Sequence, residues 1–187
     1  MRVRKAGEII PEVLSVNLSK RPSCSVPFEF PSVCPSCNEP VFSDPDVAQI
    51  RCTNTSCPAQ LIRNIIHFAS RDAMNIDGLG EAIVMSLCEN KIISDITDLY
   101  TLDENVLSNL ERFGKKSAQN LLSAIEKSKQ NCLSKLLFGL GIRQVGAKTG
   151  KVLATRFGTL QNLMCATVED LTQVQDVGAV TAQAIVD

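Results

Sequence analysis

Ile76-Asp77-Gly78-Leu79-Gly80 stands between two runs, residues 59–69 and 81–89, whose apolar side chains recur at helical spacing. The stretch therefore reads as helix, tight glycine hairpin, helix. It recurs three times: the pair Leu79-Gly80 returns as Phe113-Gly114, Val145-Gly146 and Val177-Gly178, with the glycines 34, 32 and 32 residues apart. The later hairpins are Leu110-Glu111-Arg112-Phe113-Gly114, Ile142-Arg143-Gln144-Val145-Gly146 and Val174-Gln175-Asp176-Val177-Gly178, opening predicted helices over 115–129, 147–157 and 179–186. Glycine suits such turns because it takes positive φ cheaply and lets a backbone or a phosphate approach its amide. Helix N-termini opening after a turn present unpaired N–H groups and a positive dipole end to an anion. A small residue stands one helical turn beyond three of these glycines, at Ala118, Gly150 and Ala182, where close packing against a partner helix requires it.

A period of this kind also fits a helical solenoid in which the glycines are only turn residues. The period alone leaves the two readings level, and the charge distribution separates them. Residues 112–156 hold ten Lys or Arg against the single acid Glu126, whereas residues 73–111 hold eight acids against Lys91. A formal net charge of -1 thus conceals a basic middle, the signature of a polyanion partner confined to one surface.

The composition, 44% hydrophobic and 21% charged, is that of a soluble globular protein, and 187 residues can bury one sizeable core or two small ones. No apolar run is long enough for a membrane span. The basic start Met1-Arg2-Val3-Arg4-Lys5 is followed by Glu8, Pro11 and Glu12, which argues against a secretory signal and for a cytoplasmic protein. Without a secretory signal, the eight cysteines read as metal ligands plus buried thiols.

Cys34-Pro35-Ser36-Cys37 is followed after fourteen intervening residues by Cys52 and, after four more, by Cys57. Two tight pairs of soft ligands on two turns meet the needs of tetrahedral zinc, and four thiolates leave no open coordination position, so the expected ion is structural. Val41-Phe42 and Ile50-Arg51 suit a short hairpin between the knuckles. Cys88, Cys132 and Cys165 lack paired spacing and are expected to be inert buried thiols in helices, with Cys24 exposed in a Ser/Pro-rich linker.

Residues 1–31 contain one strand-like stretch, 9–16, and an extended connection through Pro22 and Pro27, too little to fold alone. They look like the end of a domain in a longer chain. Residues 32–58 form the zinc module, and residues 59–187 the four hairpins, the last cut short. The lone histidine, His67, is expected to pack rather than to react. Neither a nucleophile with its base nor a clustered pair of acids stands out, so no catalytic residue is assigned. The scattered acids read as caps and solvated faces.

The pattern hydrophobic, x, Gly, hydrophobic, Gly resembles the helix-hairpin-helix motif, a DNA-binding element that ignores sequence. Placed after four zinc-spaced cysteines and the run from Cys57-Pro58-Ala59-Gln60 through His67-Phe68-Ala69-Ser70-Arg71 to Gly80, it resembles one family, the bacterial NAD-dependent DNA ligases. Arg4-Lys5-Ala6-Gly7-Glu8-Ile9-Ile10-Pro11 is similar to the end of that family's OB domain, and residues 137–146 match as well. The likeness covers nearly the whole chain and points to the carboxy-terminal part of such an enzyme. It implies a mainly α fold with a small zinc-bound β element, a strand remnant of an OB domain, tandem hairpins, and the gripping of nicked duplex DNA in replication and repair.

The family adenylates a lysine from NAD, passes AMP to a 5′-phosphate and seals the nick, with magnesium. Its Lys-x-Asp-Gly motif does not occur here, so the resemblance implies a parent ligase and a catalytically silent portion. The resemblance also implies structural zinc on Cys34, Cys37, Cys52 and Cys57, a monomer, and a cytoplasmic, nucleoid-associated location. The residues expected to meet DNA are Gly78, Gly80, Arg112, Gly114, Lys115, Lys116, Arg143, Gly146, Lys148, Lys151 and Gly178, with most of the attraction on hairpins two and three. Two rivals stand beside this reading, a non-catalytic DNA-repair scaffold and a protein-binding helical array with structural zinc.

Overall fold

The computed structural model describes residues 1–7, 9–43, 50–54, 56–111 and 113–187. Arg112, one of the expected DNA contacts, lies outside them. The chain begins with an antiparallel pair, β1 (Arg2–Ala6) and β2 (Ile10–Ser15), in register Lys5 to Pro11 and turned through Gly7 at φ 59°. The sequence reading anticipated only the second strand. β1 runs for only five residues, and the consecutive charges Arg4-Lys5 break its alternation, so the run is too short and irregular to declare itself. Val3, Ile10, Val13 and Leu14 all remain exposed, so the ribbon has no core of its own. Arg4 Nε donates to Glu12 at 2.7 Å across it.

A second ribbon, β3 (Val41–Ser43) with β4 (Ile50–Cys52), pairs Val41 with Cys52 inside the cysteine module. From there the described chain is helical. α1 (Pro58–Ala69) leads to α2 (Glu81–Glu89), α3 (Glu104–Ser108) to α4 (Lys115–Ser128), α5 (Leu133–Gly139) to α6 (Ala147–Phe157), and, after α7 (Leu160–Met164), α8 (Val168–Thr172) to α9 (Ala179–Val186). Each of these four pairs closes on itself across its glycine turn, which gives four helical hairpins. The acids cap helices as anticipated: Asp103 Oδ1 accepts from the Val106 amide at 2.9 Å, and Thr167 with Asp170 forms a capping box on α8.

Two hydrophobic cores organise the hairpins as two pairs rather than as an even array. Ile65, Phe68, Leu87, Leu99, Leu107 and Leu121 bring hairpins one and two together. Leu137, Val145, Leu153, Leu171, Val174 and Val177 do the same for three and four. The small residues serve this packing. Ala118, Gly150 and Ala182 are buried, and a Cβ on Gly150 would stand 2.9 Å from the Ser134 carbonyl oxygen on α5.

The two pairs meet where α1 packs on α5. His67 Nε2–H donates to the Phe138 carbonyl at 2.7 Å and its ring stands edge-on to Phe138 at 4.8 Å. Nearby, Asn131 Nδ2 donates to Met74 O at 2.7 Å, and a Cβ on Gly139 would stand a tight 3.2 Å from the Phe68 ring and 3.4 Å from Ala73 Cβ. His67 is thus a packing residue with one long-range hydrogen bond. Cys132 and Cys165 correct the expectation of buried thiols: both are exposed, as the N-cap of α5 and the C-cap of α7. A sequence neighbourhood rich in leucine does not reveal that a residue ends a helix instead of lying on its inner face. Among the described residues, no helix is long and apolar enough to cross a membrane.

Candidate metal centre and nucleic-acid interface

Cys34 and Cys37 sit on a turn closed by Asn38 N–H donating to Cys34 O at 2.8 Å, with Asn38 at φ 59°, a conformation asparagine tolerates well. Cys52 ends β4, and Cys57 is the N-cap of α1 with Pro58 in the first helical turn. Local turn chemistry and one short ribbon therefore bring the four sulfurs within 4.8 Å of one another. A tetrahedral ion with thiolates at about 2.3 Å spaces its sulfurs by about 3.8 Å. The Cys34–Cys57 and Cys37–Cys52 sulfur separations, 3.9 and 3.6 Å, fit that figure.

The electrostatics favour a cation as well. Backbone N–H groups of Ser36 and then Cys37 hold the Cys34 thiol below its ordinary value. The Gln60 amide, followed by Ala59, at the start of α1, lowers Cys57 to about 7. At Cys52 the Asn54 amide favours the thiolate, but loss of solvent and the facing Cys37, Cys34 and Cys57 thiols outweigh it and push the group up to about 12. Four sulfurs this close resist ionising together unless a cation sits between them. With every ligand a thiolate from the protein, the ion such a set can hold is structural.

The hairpin glycines divide into two kinds. The first hairpin position, Gly78, has φ 86°, and the corresponding Gln144 and Asp176 have φ 65° and 64°. This position carries the left-handed turn, and only hairpin one gives it a glycine. The second glycines, Gly80, Gly114, Gly146 and Gly178, correct the expectation that positive φ explains them: their φ values are -78°, -82°, -83° and -87°. Any residue adopts that conformation, and among the described residues no atom beyond the adjoining ones lies within 4 Å of where a Cβ would stand. Neither backbone strain nor packing within the chain calls for glycine there.

Their shared role is positional. All four are N-caps without a side-chain cap on the helix they open. In α6 the first full helical bond runs from Gly150 N to Gly146 O, which leaves the Ala147, Lys148 and Thr149 amides with no intrahelical acceptor. Serine or aspartate at the cap would fold a side chain onto such amides, and glycine leaves them open to an outside anion.

Around these helix ends, Lys115, Lys116, Arg143, Lys148 and Lys151 are all exposed. Lys115 and Lys116 are the first two residues of α4, and Lys148 is the second of α6. Hairpin four differs. No Lys or Arg occurs from 157 to 187, and its Asp176 carboxylate pairs with Lys148 Nζ of hairpin three at 2.7 Å. This cross-hairpin pair was absent from the sequence reading, since 28 positions separate its members. Away from the turns, Lys129 pairs with Glu126 at 2.5 Å and stands over the Tyr100 ring.

Three family models match the chain: the NAD-dependent DNA ligase C4 zinc finger domain over residues 33–59, a SAM-like helix-hairpin-helix tandem over 70–127, and a helix-hairpin-helix motif over 135–187. Among curated relatives, the chain is 53% identical to a DNA ligase of Macrococcus caseolyticus over 98% of its own length. It is 50% identical to a DNA ligase of Desulfitobacterium hafniense and 48% identical to one of Listeria monocytogenes, again over 98% of this chain. It spans 28% of the first two relatives and 27% of the third.

Proposed function

We infer that this chain, which carries the C4 zinc finger and helix-hairpin-helix units of the NAD-dependent DNA ligases and aligns with DNA ligases over 98% of its length, is the part of such an enzyme that grips duplex DNA. One observation carries the reading: four helix N-termini are each opened by a bare glycine that neither conformation nor packing requires. Phosphate oxygens at those amides, flanked by Lys115, Lys116, Arg143, Lys148 and Lys151, account for both the glycines and the charge. Arg112 joins this set on its sequence position. Amides and ammonium groups read the backbone rather than base edges, so recognition ignores sequence.

Cys34, Cys37, Cys52 and Cys57 hold structural zinc, which joins the N-terminal ribbon to the helices. The ribbon belongs to an OB domain. The whole enzyme seals nicks in replication and repair using NAD and magnesium, in the bacterial cytoplasm and as a monomer. This portion lacks the Lys-x-Asp-Gly adenylation motif and supplies grip rather than chemistry.

Fluorescence anisotropy with unrelated duplexes tests the reading. If about six phosphates are neutralised, log K falls against log salt with a slope of about −5, and Kd for non-specific duplex lies near ~1 μM. A response flat in salt refutes it. Charge reversal at Lys115, Lys116 and Lys148 abolishes DNA binding here, whereas a protein-binding array would keep its partner. The relatives and the ligase-specific zinc finger disfavour a non-catalytic scaffold.

A further inference from the structure

Hairpins three and four share one core, with Val145 of the third turn and Val174 and Val177 of the fourth buried in it. Their turns are therefore held side by side, and the Lys148–Asp176 pair is built into the packing. Both members are open to solvent, with side-chain exposures of 81% and 43%, so an incoming anion can reach them. Asp176 stands at φ 64°, the turn position that hairpin one fills with Gly78, where an aspartate is costlier than glycine. Lys148 lies two residues after Gly146, beside the open amides of α6. The ammonium best placed to help those amides is thus engaged by a carboxylate from the next hairpin.

We propose that Asp176 is an affinity-determining residue: it competes with DNA phosphate for Lys148, so that the third hairpin takes up DNA only by displacing an anion the protein itself supplies. The proposal rests on the phosphate-binding reading of the hairpins. A phosphate arriving at α6 has to exchange with the charged Asp176 carboxylate to reach the Lys148 ammonium. Hairpin four, without a Lys or Arg from residue 157 onward, cannot offset that charge. The hydrogen bond from Lys148 to Asp176, and then the carboxylate's charge, favour the ammonium form of Lys148 and shift it upward, in keeping with the 2.7 Å pair. The consequence is a grip weaker than the basic residues would allow, and therefore one more easily released.

The experiment is a double-mutant cycle in the zinc-loaded 187-residue chain, read by anisotropy on a non-specific duplex across a salt series. Asp176→Asn keeps a residue type at home at positive φ while removing the charge, and Asp176→Gly serves as the second variant with no turn strain at all. Either raises affinity by about three- to tenfold and steepens the salt slope by about 0.9, one further phosphate contact. In a Lys148→Gln background the gain shrinks below about twofold, because the contested ammonium is gone. Unchanged or lower affinity in both Asp176 variants overturns the proposal, as does a gain that persists in full without Lys148. If the parent chain binds duplex and only the gain is missing, the competition fails and the phosphate reading stands. A parent chain that ignores DNA overturns both.

Discussion

Gly146→Ser separates binding from stability more cleanly than any charge substitution. Gly146 lies at φ -83° and ψ 178°, which serine adopts without strain, and a Cβ there meets nothing within 4 Å. As an N-cap, serine matches glycine or exceeds it by a few tenths of a kcal/mol, because its hydroxyl oxygen accepts from an amide in the first turn. The melting temperature is therefore unchanged or slightly higher. That same amide is one a phosphate would need. A hydrogen bond to a charged partner contributes about 1.5–3 kcal/mol, and the new cap competes with it while the Cβ obstructs approach. Loss of about 1.5 kcal/mol is roughly a tenfold rise in Kd, with the same salt slope because no charge has changed. Anisotropy on a duplex, beside a thermal melt of the same preparation, reads both quantities. An affinity within twofold of the parent, at undiminished stability, would refute the claim that the bare cap exists to receive phosphate.

Gly150→Ala reverses the pattern. Its Cβ meets the Ser134 carbonyl at 2.9 Å, so overpacking of about 1–3 kcal/mol exceeds the gain of about 1 kcal/mol in helix propensity, and a thermal melt detects a lower transition. Chelating zinc unfolds the module around residues 32–58 while the helical cores persist, so far-ultraviolet circular dichroism changes little and proteolysis becomes selective for that segment. The Asp98 carboxylate is held below its ordinary value by the Ser94 backbone amide first, and Asp170 by the Thr167 amide. Groups depressed in the fold stabilise it above their unfolded-state value and cease to as pH falls through the folded one. Stability is thus lost below about pH 4, and Asp98→Asn with Asp170→Asn flattens the acid limb of a melt series.

Much of the fold is legible in the chain because its devices are local. The starts of α2, α4, α6 and α9 follow directly from the hydrophobic-glycine pairs, and the β3–β4 ribbon from the cysteine spacing. The errors share a cause. β1 is short and solvated on both faces, α3, α7 and α8 run for only five residues each, and exposed Cys132 and Cys165 lie at helix ends, where leucine neighbours mislead. Of the two properties that suit glycine to these turns, conformational freedom and an open amide, only the first is settled by the backbone angles. Positive φ belongs to Gly78, Gln144 and Asp176, while Gly80, Gly114, Gly146 and Gly178 lie in ordinary extended backbone.

By itself the sequence determined the repeat, the caps, the four-cysteine set and the basic middle, since each depends on residues a few positions apart or on composition alone. Only the tertiary structure decided that four similar hairpins divide into two pairs, joined where His67 meets Phe138, and that Lys148 faces Asp176. Those facts depend on which apolar faces bury each other, a choice made by the whole packed chain. A repeat makes hairpins alike, and packing gives each one its neighbours and hence its charge environment.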